Sequence, residues 1–154
     1  MNKCRDYALN LLTICDRTEK EIRDKLRGKG YPGNEIEDTI IFLSEYGYIN
    51  DREYVRKYIK DAVNIKKWGK KRIETELLKK GADRYVVEEM LEEIETDFGA
   101  LIMEILKSRF KNSNLSDPKE RNRIFSYFAR RGFSPQDIAG SINKLSDNCM
   151  YDDF

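Results

Sequence analysis

The chain has no histidine, one tryptophan, three prolines and three cysteines in 154 residues. Without histidine the commonest general base is missing, and so is the commonest metal ligand. Cys4, Cys15 and Cys149 are odd in number, widely spaced and free of any Cys-x-x-Cys pair. That pattern argues against a disulfide framework and for reduced thiols. No window approaches 18 apolar residues, and the opening MNKCRDYALNLLTICDR lacks the apolar stretch and small-residue cleavage site of a secretory signal. A soluble, cytoplasmic protein with no membrane partner is the expectation. An excess of one charge is missing too: Lys+Arg 29 face Asp+Glu 28, so net charge alone predicts no polyanion partner.

Catalytic and cofactor constellations are equally scarce. Asp51, Glu53, Glu74 and Glu76 fall at capping or exposed positions, Gly28-Lys29-Gly30 lacks the spacing of a phosphate-binding loop, and no metal-ligand spacing occurs. A magnesium site made of carboxylates alone is the one enzymatic alternative. The expectation is a non-enzymatic protein with no catalytic residue, cofactor, metal or small-molecule substrate.

What the chain does have is a repeat. Gly30, Gly81 and Gly132 lie 51 residues apart, and the same register recurs in Ile22/Ile73/Ile124, Leu26/Leu77/Phe128, Ile36/Val87/Ile138 and Ile40/Leu91/Ile142. Gapless agreement of this kind marks one unit written three times, and repeat arrays characteristically serve as binding surfaces. Charged residues reach 37%, above the roughly 25% of an average globular protein. Thin helical layers, with much surface for little core, accommodate such an excess.

Periodicity points to helices throughout. Val55, Ile59, Ala62 and Val63 follow the i, i+4, i+7, i+8 stripe of a helix facing a core, and no stretch alternates long enough for a strand. Thr18 with Glu21 and Asn50 with Glu53 have capping-box spacing, and Ser134-Pro135 has the order of a helix opening. The three ladder glycines follow basic helix ends, where a left-handed residue terminates a helix and cations favour the dipole. Asp83 and Ser134 then cap the following helix; in the first unit, Pro32-Gly33-Asn34 shifts the expected cap to Asn34. The fold predicted is all-α: three tandem three-helix repeats at 3–49, 50–96 and 97–146, forming an elongated or curved modular array, with an acidic tail at 147–154. Lys111 to Pro118 is a longer connection than its counterpart after Asp16 and is the expected flexible, protease-sensitive loop.

Gly47-Tyr48-Ile49-Asn50-Asp51 leading to Tyr54, then Gly69-Lys70-Lys71-Arg72-Ile73 and Glu76-Leu77-Leu78-Lys79-Lys80-Gly81, resembles the RecX family of bacterial regulators of the RecA recombinase. The likeness covers nearly the whole chain, with the central segment the most specific part. One departure is Trp68-Gly69, where the family commonly has a proline near the start of the Arg-Ile helix. The resemblance implies a partner, the RecA filament on single-stranded DNA, and a role in homologous recombination, DNA repair and the SOS response. It also implies an outcome, suppression of ATP turnover, strand exchange and filament growth, with stimulation the other possibility in a regulatory family.

Charge distribution supplies the candidate contacts. From Lys66 to Lys80 seven cations face two acids; from Asp83 to Asp97 seven acids face one cation; from Lys107 to Arg131 eight cations face two acids. Lys66, Lys67, Trp68, Lys70, Lys71, Arg72, Lys107, Arg109, Lys111, Arg121, Arg123, Arg130 and Arg131 are the candidate partner- or DNA-binding residues. These faces either meet DNA phosphates or acidic filament surface, or are solvated faces pairing with the acidic helix. Trp68 either stacks on an unpaired base or packs over a helix start. Tyr46, Tyr48, Tyr54 and Tyr58 are expected to fill the first junction between units. A sequence-nonspecific DNA-binding protein acting without RecA is the alternative function.

Overall fold

The structure, a computed structural model, describes residues 2–152, with side chains described through residue 147. Among the described residues there are nine α-helices and no strand. They are α1 (Lys3–Ile14), α2 (Glu19–Gly28), α3 (Gly33–Glu45), α4 (Asp51–Asp61), α5 (Lys70–Lys79), α6 (Arg84–Glu93), α7 (Phe98–Arg109), α8 (Pro118–Arg130) and α9 (Pro135–Asp152). Each sequence repeat thus supplies three helices. The backbone of α9 runs into the expected acidic tail; the rest of that tail, and the Cys149 side chain, lie outside the described residues. No described helix is long and apolar enough to cross a membrane.

The ladder positions fill the interior. Ile22, Ile73, Ile124, Leu26, Leu77, Phe128, Ile36, Val87, Ile138, Ile40, Leu91 and Ile142 are all 4% exposed or less. Each such side chain contributes about 1.5–3 kcal/mol by leaving water. The Val55, Ile59, Ala62, Val63 stripe is buried as well.

Helix ends follow the local chemistry. Thr18 and Glu21 form a reciprocal capping box, and the Asn50 side chain accepts the Glu53 N–H at 3.3 Å. Asp83 Oδ1 accepts from Tyr85 and Val86 at 2.9 and 3.2 Å, and Ser134 Oγ from Asp137 at 3.1 Å. The first repeat differs from expectation: α3 begins at Gly33 with Pro32 at its cap and no side-chain cap, so Asn34 is already helical. Pro32 holds φ at −65°, which orients the chain for the helix without a side-chain acceptor. Gly30, Gly81 and Gly132 adopt φ of +92°, +87° and +91°. In each case the residue after the glycine donates back across the helix end: Tyr31 to Leu26 O, Ala82 to Leu77 O and Phe133 to Phe128 O, at 3.1–3.2 Å. These are Schellman closures, which satisfy carbonyls that a helix end would otherwise strand.

The chain forms two compact units, one comprising the residues through Lys60 with Glu76–Glu92, the other Asp61–Thr75 with the residues from Glu93 on. In the first, Cys4, Ala8, Ile22, Leu26, Ile36, Ile40, Leu43 and Ile49 make a core closed by Tyr7, Leu9, Leu11, Leu12, Tyr31 and Phe42. Asp51, at the start of α4, accepts the Glu19 N–H of α2 at 3.0 Å, so it caps a helix of the preceding repeat. Burial raises the Asp51 pKa above its usual value, against the lowering effect of that hydrogen bond. Burial, then the Glu21 charge, push the Tyr54 hydroxyl up to about 12. Arg23 hydrogen-bonds both Glu37 and Glu19, which keeps Arg23 charged and lowers the Glu37 pKa. In the second unit α7 and α9 pack together with α8 on Phe98, Ile102, Leu106, Phe128, Phe133 and Ile138. Ser141 Oγ donates to Gly99 O at 3.1 Å there.

The tyrosines divide. Tyr54 and Tyr58 are half-buried and stacked at 6.1 Å. Tyr46 and Tyr48 do not fill a junction; they are 70% and 53% exposed. Gly47, at φ +74°, closes α3 and leaves its two neighbours outside the core.

Candidate partner-binding face

A turn that periodicity did not reveal precedes the site. After α4 the helix widens into one π-helical turn, Ala62–Lys66, and ends at Lys67 in the left-handed conformation, φ 58° and ψ 48°. For a residue with a side chain that conformation costs about 1–2 kcal/mol. The Trp68 N–H closes the turn on Ala62 O at 3.0 Å. Trp68 and Gly69 are thereby delivered to the start of α5.

There α5 meets the end of α8. The Gly69 N–H donates to Arg131 O at 2.8 Å and the Lys71 N–H to Gly132 O at 3.1 Å. The first amides of one helix satisfy the last carbonyls of another, and opposite dipole ends adjoin. The approach needs two glycines: a Cβ on Gly69 would overlap the Gly132 carbonyl and the Phe133 nitrogen, and one on Gly132 would overlap the Arg72 backbone. A proline at position 69 would also lack the N–H that Arg131 O accepts. Trp68-Gly69 therefore has a local physical reason.

Cations gather on two aromatic rings around this joint. Lys66 Nζ and Arg72 Cζ lie 4.4 and 4.6 Å from the Trp68 ring centre; Arg131 Cζ and Arg109 Cζ lie 4.5 and 4.9 Å from that of Tyr127. Arg72 Nη1 donates to Arg130 O at 3.3 Å, and Arg131 Nη1 to Lys66 O at 3.4 Å. Negative ring faces and backbone carbonyls thus hold like charges close together, each cation–ring contact contributing about 0.5–2 kcal/mol. Arg109, Arg130 and Arg131 have no carboxylate within ion-pairing distance among the described residues. Trp68, Arg72, Tyr127, Arg130 and Arg131 line a shallow depression of about 370 Å³. Trp68 is half-buried under its own cations, which supports packing at the helix start; a stacked base would have to displace one of them.

Six of the thirteen candidates, Lys66, Trp68, Arg72, Arg109, Arg130 and Arg131, therefore come together. Lys67 instead pairs with Glu104 at 4.0 Å, and Lys70 Nζ lies 5.7 Å from the Phe98 ring. Lys70 and Lys71 border a second depression with Glu74, Phe98, Gly132 and Phe133. Lys107 and Lys111 border a third, lined also by Phe110 and Leu115. Arg121 holds the loop after α7, donating to Leu115 O at 3.1 Å and Asn143 Oδ1 at 2.7 Å. Arg123 is exposed on α8. Sequence reasoning missed Tyr127, although its i, i+4 spacing to Arg131 on one helix was available. No group of three or more His, Cys, Asp or Glu among the described residues is arranged to hold a metal.

Three tandem three-helix units, the last two contributing an aromatic-ordered set of cations, define an all-α repeat protein. The units match, in order, the RecX first three-helix domain at residues 4–43, the second at 50–91 and the third at 95–139. The chain belongs to the RecX family. The regulatory protein RecX of Finegoldia magna is 34% identical over 149 residues, 91% of this chain and 70% of that relative. That of Clostridioides difficile is 32% identical over 152 residues, 97% of this chain and 71% of the relative. The crystal structure of RecX from Lactobacillus salivarius aligns with a TM-score of 0.77 at 30% identity, covering 94% of this chain and 95% of that one. Another crystal structure of regulatory protein RecX, at 21% identity, shares the fold with a TM-score of 0.78 over 92% of this chain and 72% of that one.

Proposed function

We propose that the chain is a non-enzymatic regulator of the RecA recombinase that binds the RecA filament on single-stranded DNA and lowers its ATPase, strand exchange and growth. Family membership supports a regulatory role. The observation in the molecule that carries the finer reading is the cation set held on Trp68 and Tyr127. A nucleoprotein filament offers phosphates and carboxylates at regular intervals, and preordered cations meet such groups with little further loss of side-chain freedom. Three modules on one chain add avidity when each reaches its own filament subunit.

RecA's DNA-dependent ATPase, measured against increasing protein, tests this. Inhibition below one protein per RecA is expected; unchanged turnover at concentrations that saturate the filament overturns the inhibitory reading. Arg130→Glu/Arg131→Glu and Lys70→Glu/Lys71→Glu, each checked for helicity by circular dichroism, separate the clustered cations from their neighbours. Greater loss of inhibition in the first pair is expected.

The same cations support a second reading, direct DNA binding without RecA. Salt distinguishes the two. Tight binding to naked single strands, falling with a log–log slope of about −0.7 per phosphate contact, favours DNA alone. Weak DNA binding beside strong filament binding favours the regulator.

A further inference from the structure

The first unit carries a surface feature that the basic face does not explain. Tyr46 and Tyr48 stand out on either side of Gly47, 70% and 53% exposed, with Phe42 beneath them at ring-centre distances of 4.9 and 6.0 Å. The Tyr48–Phe42 contact belongs to the Schellman closure of α3, where the Tyr48 N–H reaches Leu43 O at 2.8 Å. Tyr46 has no such duty, and its exposed ring adds apolar area to the turn.

Two arginines adjoin the turn, Arg5 at Phe42 and Arg17 at Tyr48. Arg5 Cζ lies 4.3 Å from the Phe42 ring centre, and its buried Nε has no hydrogen-bond partner among the described residues. Arg17 Nε is buried and unpartnered in the same way. Arg17 lines a cleft of about 200 Å³ with Asp16, Tyr48, Glu53, Tyr54 and Lys57. In that cleft Asp16 pairs with Lys57 at 3.4 Å and Glu53 with Arg56. Arg17 has no ion pair among the described residues. The outer nitrogens of both guanidinium groups likewise make no hydrogen bond or ion pair among the described residues, and a carboxylate matches their forked geometry.

We infer that Arg5, Arg17 and the Tyr46–Gly47–Tyr48 turn form a docking surface for an acidic segment of a partner protein, carboxylates on the two arginines and an apolar side chain against the tyrosines. Aromatic anchors beside desolvated arginines are the composition of energetic centres in protein interfaces. The cations at Trp68 and Tyr127 suit repeated negative charge of any kind. This surface requires apolar groups as well.

The test uses the full chain and three fluorescein-labelled 12-residue probes: alternating glutamate and leucine, glutamate alone, and alternating lysine and leucine. Fluorescence anisotropy should show the glutamate–leucine probe bound more tightly than glutamate alone, which has only the cations at Trp68 and Tyr127 to meet, and the lysine–leucine probe not bound. Tyr46→Ser and Arg17→Gln should each weaken it about tenfold, the effect of losing one interface anchor. Neither change is expected to shift the urea midpoint, since Tyr46 is mostly exposed and glutamine keeps part of the Arg17 packing. Arg130→Glu/Arg131→Glu should leave this binding intact. Equal affinity for glutamate alone, or indifference to Tyr46→Ser and Arg17→Gln with folding intact, overturns the proposal. So does a self-associated species in sedimentation velocity that Tyr46→Ser converts to monomer, because the occupant would then be a second copy of the chain.

Discussion

Gly30 and Gly132 occupy the same rung of the repeat with nearly the same backbone, φ +92° and +91°, yet stand in different surroundings. A Cβ at Gly30 would meet nothing within 4 Å; one at Gly132 would strike the backbone of Arg72. The first glycine answers only to the left-handed turn. The second answers to the turn and to another helix that begins against it. Repetition has copied a conformation three times, and in the second unit that conformation was then used for a contact on which a cation cluster is built.

Substitutions at these sites take the comparison apart. Gly132→Ala should be the most damaging, combining about 1–2 kcal/mol for the left-handed alanine with about 1–3 kcal/mol for the overlap, and it should also disperse the cations around Trp68. Its urea midpoint and tryptophan fluorescence report the two effects together. Gly69→Ala introduces the overlap without the left-handed penalty, because Gly69 is absent from the positive-φ residues; a loss of about 1–3 kcal/mol is expected. Gly30→Ala introduces the penalty without the overlap and should cost about 1–2 kcal/mol, leaving tryptophan fluorescence unchanged. Equal losses at Gly30 and Gly132, with m-values preserved, would show that the helix junction adds nothing.

A smaller effect of opposite sign is expected at Thr39. It shares a rung with Ser141, 51 × 2 residues on. Ser141 donates to Gly99 O, whereas the fully buried Thr39 Oγ1 has no hydrogen-bond partner among the described residues. Thr39→Val keeps the shape, removes the stranded hydroxyl and should stabilise by about 1 kcal/mol, whereas Ser141→Ala should destabilise by a similar amount. Urea midpoints of the two variants decide it.

The parts of the molecule that were legible beforehand are those governed by short-range rules. The ladder side chains, the glycine stops and the caps at Thr18, Asp83 and Ser134 each depend on residues within a turn or two. Asn34 is not the cap because Pro32, with φ fixed at −65°, holds the cap position itself with no side-chain acceptor. The π-helical turn at Ala62–Lys66 escaped because one widened turn barely disturbs an apolar stripe, and Lys67 gives no local sign of a left-handed backbone. Tyr46 and Tyr48 lie in sequence at the first junction between units, which suggests that they fill it; the positive φ at Gly47 sends them outward. For the candidate site, the abundance of cations was readable, but Arg109 and Arg131 share the Tyr127 ring only because α7 and α8 fold together. No spacing along the chain encodes that.

The joint between α5 and α8 also has a place in time. Arg72 and the carbonyl of Arg130 that it reaches are 58 positions apart, and the acceptors for Gly69 and Lys71 lie just beyond. A ribosome working from the amino terminus releases α5 well before those acceptors exist. Until the last repeat emerges, the opening amides of α5 have only water to bind, so the middle repeat of a nascent chain is incomplete however faithfully its own residues are written. The acceptors for the opening turn of α5 are supplied by a segment made seconds later.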